Sequence, residues 1–367
     1  MRLLADPDVL SMSEQDLRDL AIPTPEYETV LSAWPTPKTD WSNLHSTAEK
    51  YRFLDEFAAD SDIPDPLVAE TLHSFTTRDG HPLPLRTFSP AAGKKAGPGG
   101  PLIVLYHGGG LVLGSPVMVA SLARWLVSQF NAVVVAPAYR LAPEHPWPAP
   151  VNDAWDALVY IRSHASTVFA ADTSRGFVIG GISAGGTIAV SFAHKARDEW
   201  TPSGPMVTGV FSSWGSVRTV DEQGEGLEEG YRSRCLSRRE EGCVDNPVLS
   251  KDFLGWLNAC LKADVNDPVY SSLLWPPIVD EGTQRKGLFG HQGLPRVYLQ
   301  TSGRDPSRDE NLVFGDMLKR EGVEGRLDLY AGLPHCFFLH LSHLPEYERW
   351  EKDTIDGFRW LLGGKGR

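Results

Sequence analysis

FVIGGISAGG occupies residues 177–186. Its first half suits a buried strand, which runs straight into Gly181-Ile182-Ser183-Ala184-Gly185, and an Ala/Gly-rich helical segment follows from Ala184. A strand that turns this sharply into a helix strains the residue at the apex. Glycines on either side relieve the crowding and leave a serine hydroxyl exposed above the strand. In a chain with 35 glycines the pattern alone is a weak signal, since a Gly-rich turn with an incidental serine would look the same. The strand before it and the helix after it are what make Ser183 a candidate nucleophile.

Working outward, short apolar runs alternate with amphipathic ones. LIVLYH from Leu102, AVVVAPAY and VTGVFSS read as strands, and SLARWLVSQF, VNDAWDALVYIRSH and the segment from Ala184 read as helices. TLHSFTT and LPLRTF precede them, the latter joined to LIVLYH through AAGKKAGPGG, which reads as an exposed hairpin loop. After Ser213 the alternation breaks into a polar, Gly-rich and acidic segment with one clear helix, DFLGWLNACLKA. It resumes with the strand RVYLQTSG, a helix over 308–320, the strand RLDLY and a last helix over 346–362. Such alternation predicts an α/β protein with a mostly parallel central sheet covered by helices on both faces. The first 65 residues, with SMSEQDLRDL and LHSTAEKYRFLDEFAAD between Pro-rich breaks, read as helical.

A second motif, His107-Gly108-Gly109-Gly110, follows LIVLY. Consecutive glycines let backbone N–H groups converge on a developing oxyanion, and such a loop after the third strand is the specific partner of a G-x-S-x-G turn. A phosphate-binding turn is the rival reading, but neither a Walker lysine nor a dinucleotide fingerprint follows. In this architecture the acid follows the nucleophile and the histidine follows the acid. Within GRDPSRDE, Asp305 comes directly after a strand, whereas Asp309 and Glu310 fall on the next helix and suit helix and loop bonding. A helix-capping role for Asp305 is the competing account. His335 in AGLPHCFF sits at the end of the last strand, placed to reach across the strand tops; His340 and His343 read as local. No metal-binding pattern such as H-E-x-x-H occurs, so neither metal nor cofactor is expected.

HGGG, YRLAPEHPWPAP at 139–150, GISAGG, DPSRDE and GLPH together resemble the hormone-sensitive-lipase-like family of α/β-hydrolase fold esterases, in order from about residue 70 to the C-terminus. The resemblance implies an oxyanion hole from Gly109, Gly110 and the backbone of Ala184. It also implies a helical cap made from residues 1–65 and 214–290 over a core of 66–213 and 291–367. Two positions depart from the family's habit: Ile182 stands where an acidic residue is usual, and Thr187 where an asparagine is usual.

A net charge of -12 argues against nucleic acid as a partner, because phosphate binding needs a basic stripe. The N-terminus offers neither a secretory signal nor a membrane-spanning run, so a soluble, cytoplasmic protein without membrane insertion is the expectation. Four cysteines in 367 residues fit free thiols rather than a disulfide framework. The sequence leaves the oligomeric state open, a homodimer included. The expected activity is serine hydrolysis of small to medium, largely apolar carboxylic esters, the apolar preference resting on Trp34, Trp41, Trp214, Trp256 and Trp275 in the cap segments. A natural-product tailoring enzyme using the same site on a lactone, thioester or reactive intermediate is the alternative. A receptor on a dead hydrolase scaffold is disfavoured because the triad is complete.

Overall fold

The computed structural model describes residues 8–33, 43–49, 63–91, 99–218, 221, 223–245, 247–276 and 289–363. Its eight strands form one sheet: β1 (Val68–Thr76), β2 (Pro82–Pro90), β3 (Leu102–Tyr106), β4 (Val133–Pro137), β5 (Phe177–Ile182), β6 (Gly209–Ser213), β7 (Arg296–Arg304) and β8 (Gly325–Pro334). They lie in the order β1-β2-β4-β3-β5-β6-β7-β8. β1 and β2 are antiparallel, and β4 through β8 run parallel to one another.

β3, β4, β5 and β6 are buried along their whole length, which is why they read as unbroken apolar runs. Alternate residues serve opposite faces. Leu102, Val104, Val133, Ile179 and Val210 join one core layer, and Ile103, Leu105, Val134, Val178 and Phe211 join the other. Helices α1 (Glu14–Asp19) and α2 (Pro25–Ala33) precede the sheet. Helices α3 (Ala120–Phe130) and α8 (Pro345–Leu361) close the second layer, while α4 (Ala149–Ser163), α5 (Ala184–Glu199) and α7 (Arg308–Arg320) close the first.

One connection differs from expectation. β2 and β3 do not form a hairpin, because β2 pairs with β4 and not with β3. The chain crosses an intervening strand position, since pairing β3 in parallel with both β4 and β5 buries it on both sides. Residues 92–98 lie outside the described residues.

The β6–β7 crossover carries the central insertion, with short helical turns at Glu229–Arg232 and Glu241–Val244 and the helix α6 (Lys251–Leu261). Ser250 caps α6 by accepting from the Phe253 N–H, and Lys262 ends it in a left-handed conformation. Trp147 N–H donates to the Leu261 carbonyl at 2.9 Å, tying the end of α6 to the YRLAPEHPWPAP segment. At the N-terminus α1 starts with a Ser13–Asp16 capping box. Residues 44–49 are helical; the rest of the second expected N-terminal helix, with Trp34 and Trp41, lies outside the described residues.

The N-terminal segment braces the strand ends. Arg304 donates to the Ala21 carbonyl at 2.7 Å, Gly332 N–H to Leu20 at 2.8 Å, and Arg234 to Met12 at 2.9 Å. All four cysteines are buried, and none forms a disulfide. Among the described residues no helix is long and apolar enough to cross a membrane.

Candidate active site

Ser183 occupies the turn between β5 and α5 with φ 54° and ψ −121°, a conformation that costs a side-chain-bearing residue about 1–3 kcal/mol. Its N–H donates to the Ser213 carbonyl at 2.7 Å, which locks the turn to the next strand. The flanking glycines are required by close approach: a Cβ on Gly185 would stand 2.1 Å from the Tyr106 carbonyl oxygen, and one on Gly181 would stand 2.4 Å from the Gly185 carbonyl carbon. The G-x-S-x-G spacing thus lets α5 start against the end of β3.

His335 follows β8, and Asp305 follows β7. Asp305 Oδ2 accepts from His335 Nδ1 at 2.6 Å, and His335 Nε2 lies 2.9 Å from Ser183 Oγ. A carboxylate only accepts, so Nδ1 carries the proton. The Nε2 of the neutral ring is then an acceptor for the serine hydroxyl. The other oxygen of Asp305 accepts from the Ser307 N–H and hydroxyl, both at 2.7 Å. Asp305 is therefore not the helix cap, a position Ser307 holds: one oxygen orients the histidine and the other fixes the turn that leads into the helix.

Asp305 is fully buried, which opposes ionisation, but His335 and the Ser307 donors hold its carboxyl below the usual value. Burial likewise opposes the imidazolium of His335, yet the charge of Asp305 and its hydrogen bond to the ring raise it above the ordinary histidine value. Burial pushes the Cys336 thiol up, so it stays uncharged at neutral pH and Asp305 is the lasting counter-charge.

Asp309 and Glu310 are buried elsewhere. Asp309 accepts from the Leu236 and Ser237 N–H groups and pairs with Arg308, while Glu310 pairs with Arg238, so both hold the central insertion to α7.

The HGGG loop leaves β3 beside the serine. Gly109 and Gly110 have φ values of 100° and 65°, and a Cβ on Gly109 would meet the Leu113 carbonyl oxygen at 2.2 Å. His107 stacks on Tyr139 at 4.1 Å, and the tyrosine hydroxyl donates to the His107 carbonyl at 2.8 Å. Burial lowers the His107 pKa to about 4, so the ring is neutral and its Nδ1–H donates to the Gly108 carbonyl at 2.8 Å. The N–H groups of Gly109 and Gly110 meet no acceptor among the described residues. Ala184 opens α5, where an N–H has no intrahelical acceptor.

A cavity of about 600 Å³ opens over Ser183, walled by the glycine loop, the ends of β5 and β6, α6 and the turn after His335. The tryptophan expectation needs correction. Trp214 belongs to the core at the end of β6, packed on Tyr330, Phe337 and Phe338 and bonded to Ser302, and it meets the cavity from below. Trp256 and Trp275 do not line the cavity; Trp275 stacks on His194 and donates to Asp198. Trp147 and Trp350 line it instead. His340, read as local, also lies on the wall. Sequence reasoning missed the brace from Thr187, whose hydroxyl accepts from Ser216 N–H at 2.8 Å, and the arginines Arg218 and Arg238 on the wall. Thr187 was visible only as a departure from the family's asparagine.

A parallel sheet with a serine on a left-handed turn at one strand end and a histidine and an aspartate at others defines an α/β-hydrolase. Residues 103–339 match the family described as alpha/beta hydrolase fold, and the chain belongs to it, within its hormone-sensitive-lipase-like esterases. An AB hydrolase superfamily protein of Schizosaccharomyces pombe is 30% identical, over 92% of this chain and 93% of that protein. Versiconal hemiacetal acetate esterase of Dothistroma septosporum is 27% identical over 73% and 76%. Among solved structures, vibralactone cyclase superposes with a TM-score of 0.80 at 27% identity, covering 99% of this chain and 98% of that one. The chain is an enzyme of this hydrolase family, and proteins named esterases are among its relatives.

Proposed function

We propose that the chain hydrolyses carboxylic esters of small to medium, largely apolar substrates by way of an acyl-enzyme. Ser183 Oγ attacks the ester carbonyl as His335 Nε2 takes its proton, and Asp305 holds the ring tautomer and faces the imidazolium. The N–H groups of Gly109, Gly110 and Ala184 receive the oxyanion. The leaving alcohol takes the proton from His335. Water then attacks the acyl-enzyme, giving one proton to His335 and its oxygen to the acid product, and Ser183 recovers its hydrogen. No cofactor enters these steps. The observation that supports this reading is the hydrogen-bonded chain from Ser183 through His335 to Asp305 at the floor of a cavity.

The central insertion, residues 214–290, is read as the cap that roofs the cavity, with residues 1–65 bracing it. Four buried thiols without a disulfide suit a reducing cytoplasm. A second reading, lactone formation or opening on a natural product, is favoured by the near full-length likeness to vibralactone cyclase. Both use the same serine, so the test has two parts. Wild type is screened on p-nitrophenyl esters of graded length beside lactones and thioesters, and Ser183→Ala is assayed on whichever is turned over. Loss of at least 10³-fold on a folded protein is expected; activity within about tenfold of wild type would rule out the serine mechanism.

A further inference from the structure

The cavity wall carries an imbalance of charge. Among the described residues its lining includes two arginines, Arg218 and Arg238, and no aspartate or glutamate. Arg238 is compensated from behind: Glu310, 2% exposed, accepts from its Nε at 2.9 Å and from its Nη2 at 2.6 Å. Among the described residues Arg218 has no such carboxylate partner. Its guanidinium makes one hydrogen bond among the described residues, from Nη1 to the Tyr270 hydroxyl at 2.7 Å, and its guanidinium carbon lies 4.8 Å from the centre of the same ring. Tyr270 is held in turn, edge-on to Trp147 at 5.6 Å, so the platform under Arg218 is rigid.

A guanidinium presents five N–H donors and a full positive charge. With one donor engaged, the remaining donors and the charge of Arg218 are left on a wall otherwise built largely from leucine, valine and aromatic side chains. A charge partly withdrawn from water without a counter-charge is unfavourable, and an anion entering the cavity would relieve it. The position is tied to the reacting serine. Ser216, two residues before Arg218, is bonded through its N–H to Thr187 on the first turn of α5 and through its hydroxyl to Arg238.

We propose that Arg218 is a specificity-determining residue that receives a carboxylate of the substrate, so that the preferred ester has an apolar body and one anionic end. This rests on the esterase reading above and narrows its substrate class. A planar carboxylate matches the fork of a guanidinium held in place by an aromatic ring and its hydroxyl.

The test compares esters matched in size and differing in charge. For a carboxylate on the acyl limb the pair is mono-p-nitrophenyl glutarate and p-nitrophenyl hexanoate; for one on the alcohol limb it is p-acetoxybenzoate and p-acetoxybenzamide. In at least one pair the wild-type kcat/KM ratio, anionic over neutral, should exceed about tenfold, the worth of a charge-assisted hydrogen bond. Arg218→Gln should bring that ratio to near one, while the exposed Arg232→Gln, with the same change in net charge, should leave it as in wild type. A merely structural Arg218 would lower both members together and keep the ratio. A second readout needs no variant: benzoate should inhibit the wild type competitively at about a tenfold lower concentration than benzamide, and less so as salt is raised.

Wild-type ratios at or below one in both pairs, a ratio unchanged in Arg218→Gln, or equal inhibition by benzoate and benzamide would overturn the proposal. If Ser183 is not labelled by a fluorophosphonate and neither member of a pair is turned over, the esterase reading itself has failed.

Discussion

Replacing Asp305 by asparagine changes one oxygen into an NH2 group, and the surroundings dictate which one. One carboxylate oxygen is held by the Ser307 N–H and hydroxyl at 2.7 Å each, and the other faces His335 Nδ1 at 2.6 Å. A backbone N–H can only donate. Turning the amide so that its NH2 faces Ser307 therefore loses that hydrogen bond and sets donor against donor, at about 2–3 kcal/mol. The asparagine should keep its oxygen on Ser307 and aim its NH2 at His335. Nδ1 must then accept, the ring proton moves to Nε2, and Nε2 can no longer take the proton of Ser183. The correctly turned minority is roughly 1 in 30 to 1 in 150, and it also lacks the carboxylate charge that favours the imidazolium. Together these should lower kcat on the order of 10⁴-fold, about 5 kcal/mol.

The assay is steady-state hydrolysis of p-nitrophenyl butyrate beside a thermal melt, with Asp309→Asn as the counterpart. Asp309 faces Arg308, both fully buried, and accepts the Leu236 and Ser237 N–H groups. That variant should lose several degrees of Tm, because a buried pair broken on one side costs a few kcal/mol, and keep most of its kcat. The pH profile adds a further check. His335 must be neutral to accept a proton, and its pKa is raised above the ordinary 6.5, so activity should rise with pH on a limb centred above 6.5. Any residual limb in Asp305→Asn should move to lower pH. A loss under tenfold, or a profile unmoved, would refute the assignment of Asp305.

Gly185→Ala should cost both stability and turnover. Its Cβ would lie 2.1 Å from the Tyr106 carbonyl oxygen and 2.6 Å from that of His107, backbone atoms that lead into the glycine loop; a soluble variant with wild-type Tm and kcat would contradict the close approach. His194 and His291 are buried 2.9 Å apart, and burial lowers both, His194 to about 3. Each is held neutral in the folded state, so stability is full above about pH 6.5 and falls as the unfolded chain gains protons below it, by about 1 kcal/mol per pH unit for each. Urea denaturation from pH 7 to 4 should show that fall, and His194→Phe should flatten it. Deleting residues 1–45 removes the acceptors of Arg304, Arg234 and Gly332, and should lower kcat/KM while Ser183 still reacts with a small phosphonate. Wild-type efficiency and chain-length preference in the truncated protein would reduce the cap to the central insertion.

Local order along the chain was legible because local physics writes it. Strands buried on both faces must be apolar throughout, as LIVLY and AVVVAP are, and the turn that carries Ser183 needs glycines at fixed offsets whatever lies around it. Asp305 and His335 could be nominated for the same reason, as polar residues directly after strands where a parallel sheet brings its ends together. The choice of Asp305 over Asp309 came from position alone, and the two are four residues apart. Only the tertiary structure decides what each side chain meets. Whether Asp305 only fixes the turn ahead of a helix or also orients a histidine depends on the separate directions of its two oxygens. Whether Trp214 belongs to a cap or to the core depends on Tyr330, Phe337 and Phe338, more than a hundred residues downstream. Arg218 looks like any surface arginine until Tyr270 holds it beside a cavity whose lining, among the described residues, has no carboxylate. Residue type and spacing fix backbone geometry, because steric and hydrogen-bonding limits act over a few residues. The partner of a polar group is fixed by packing between segments far apart in the chain, and a single sequence does not spell out that packing.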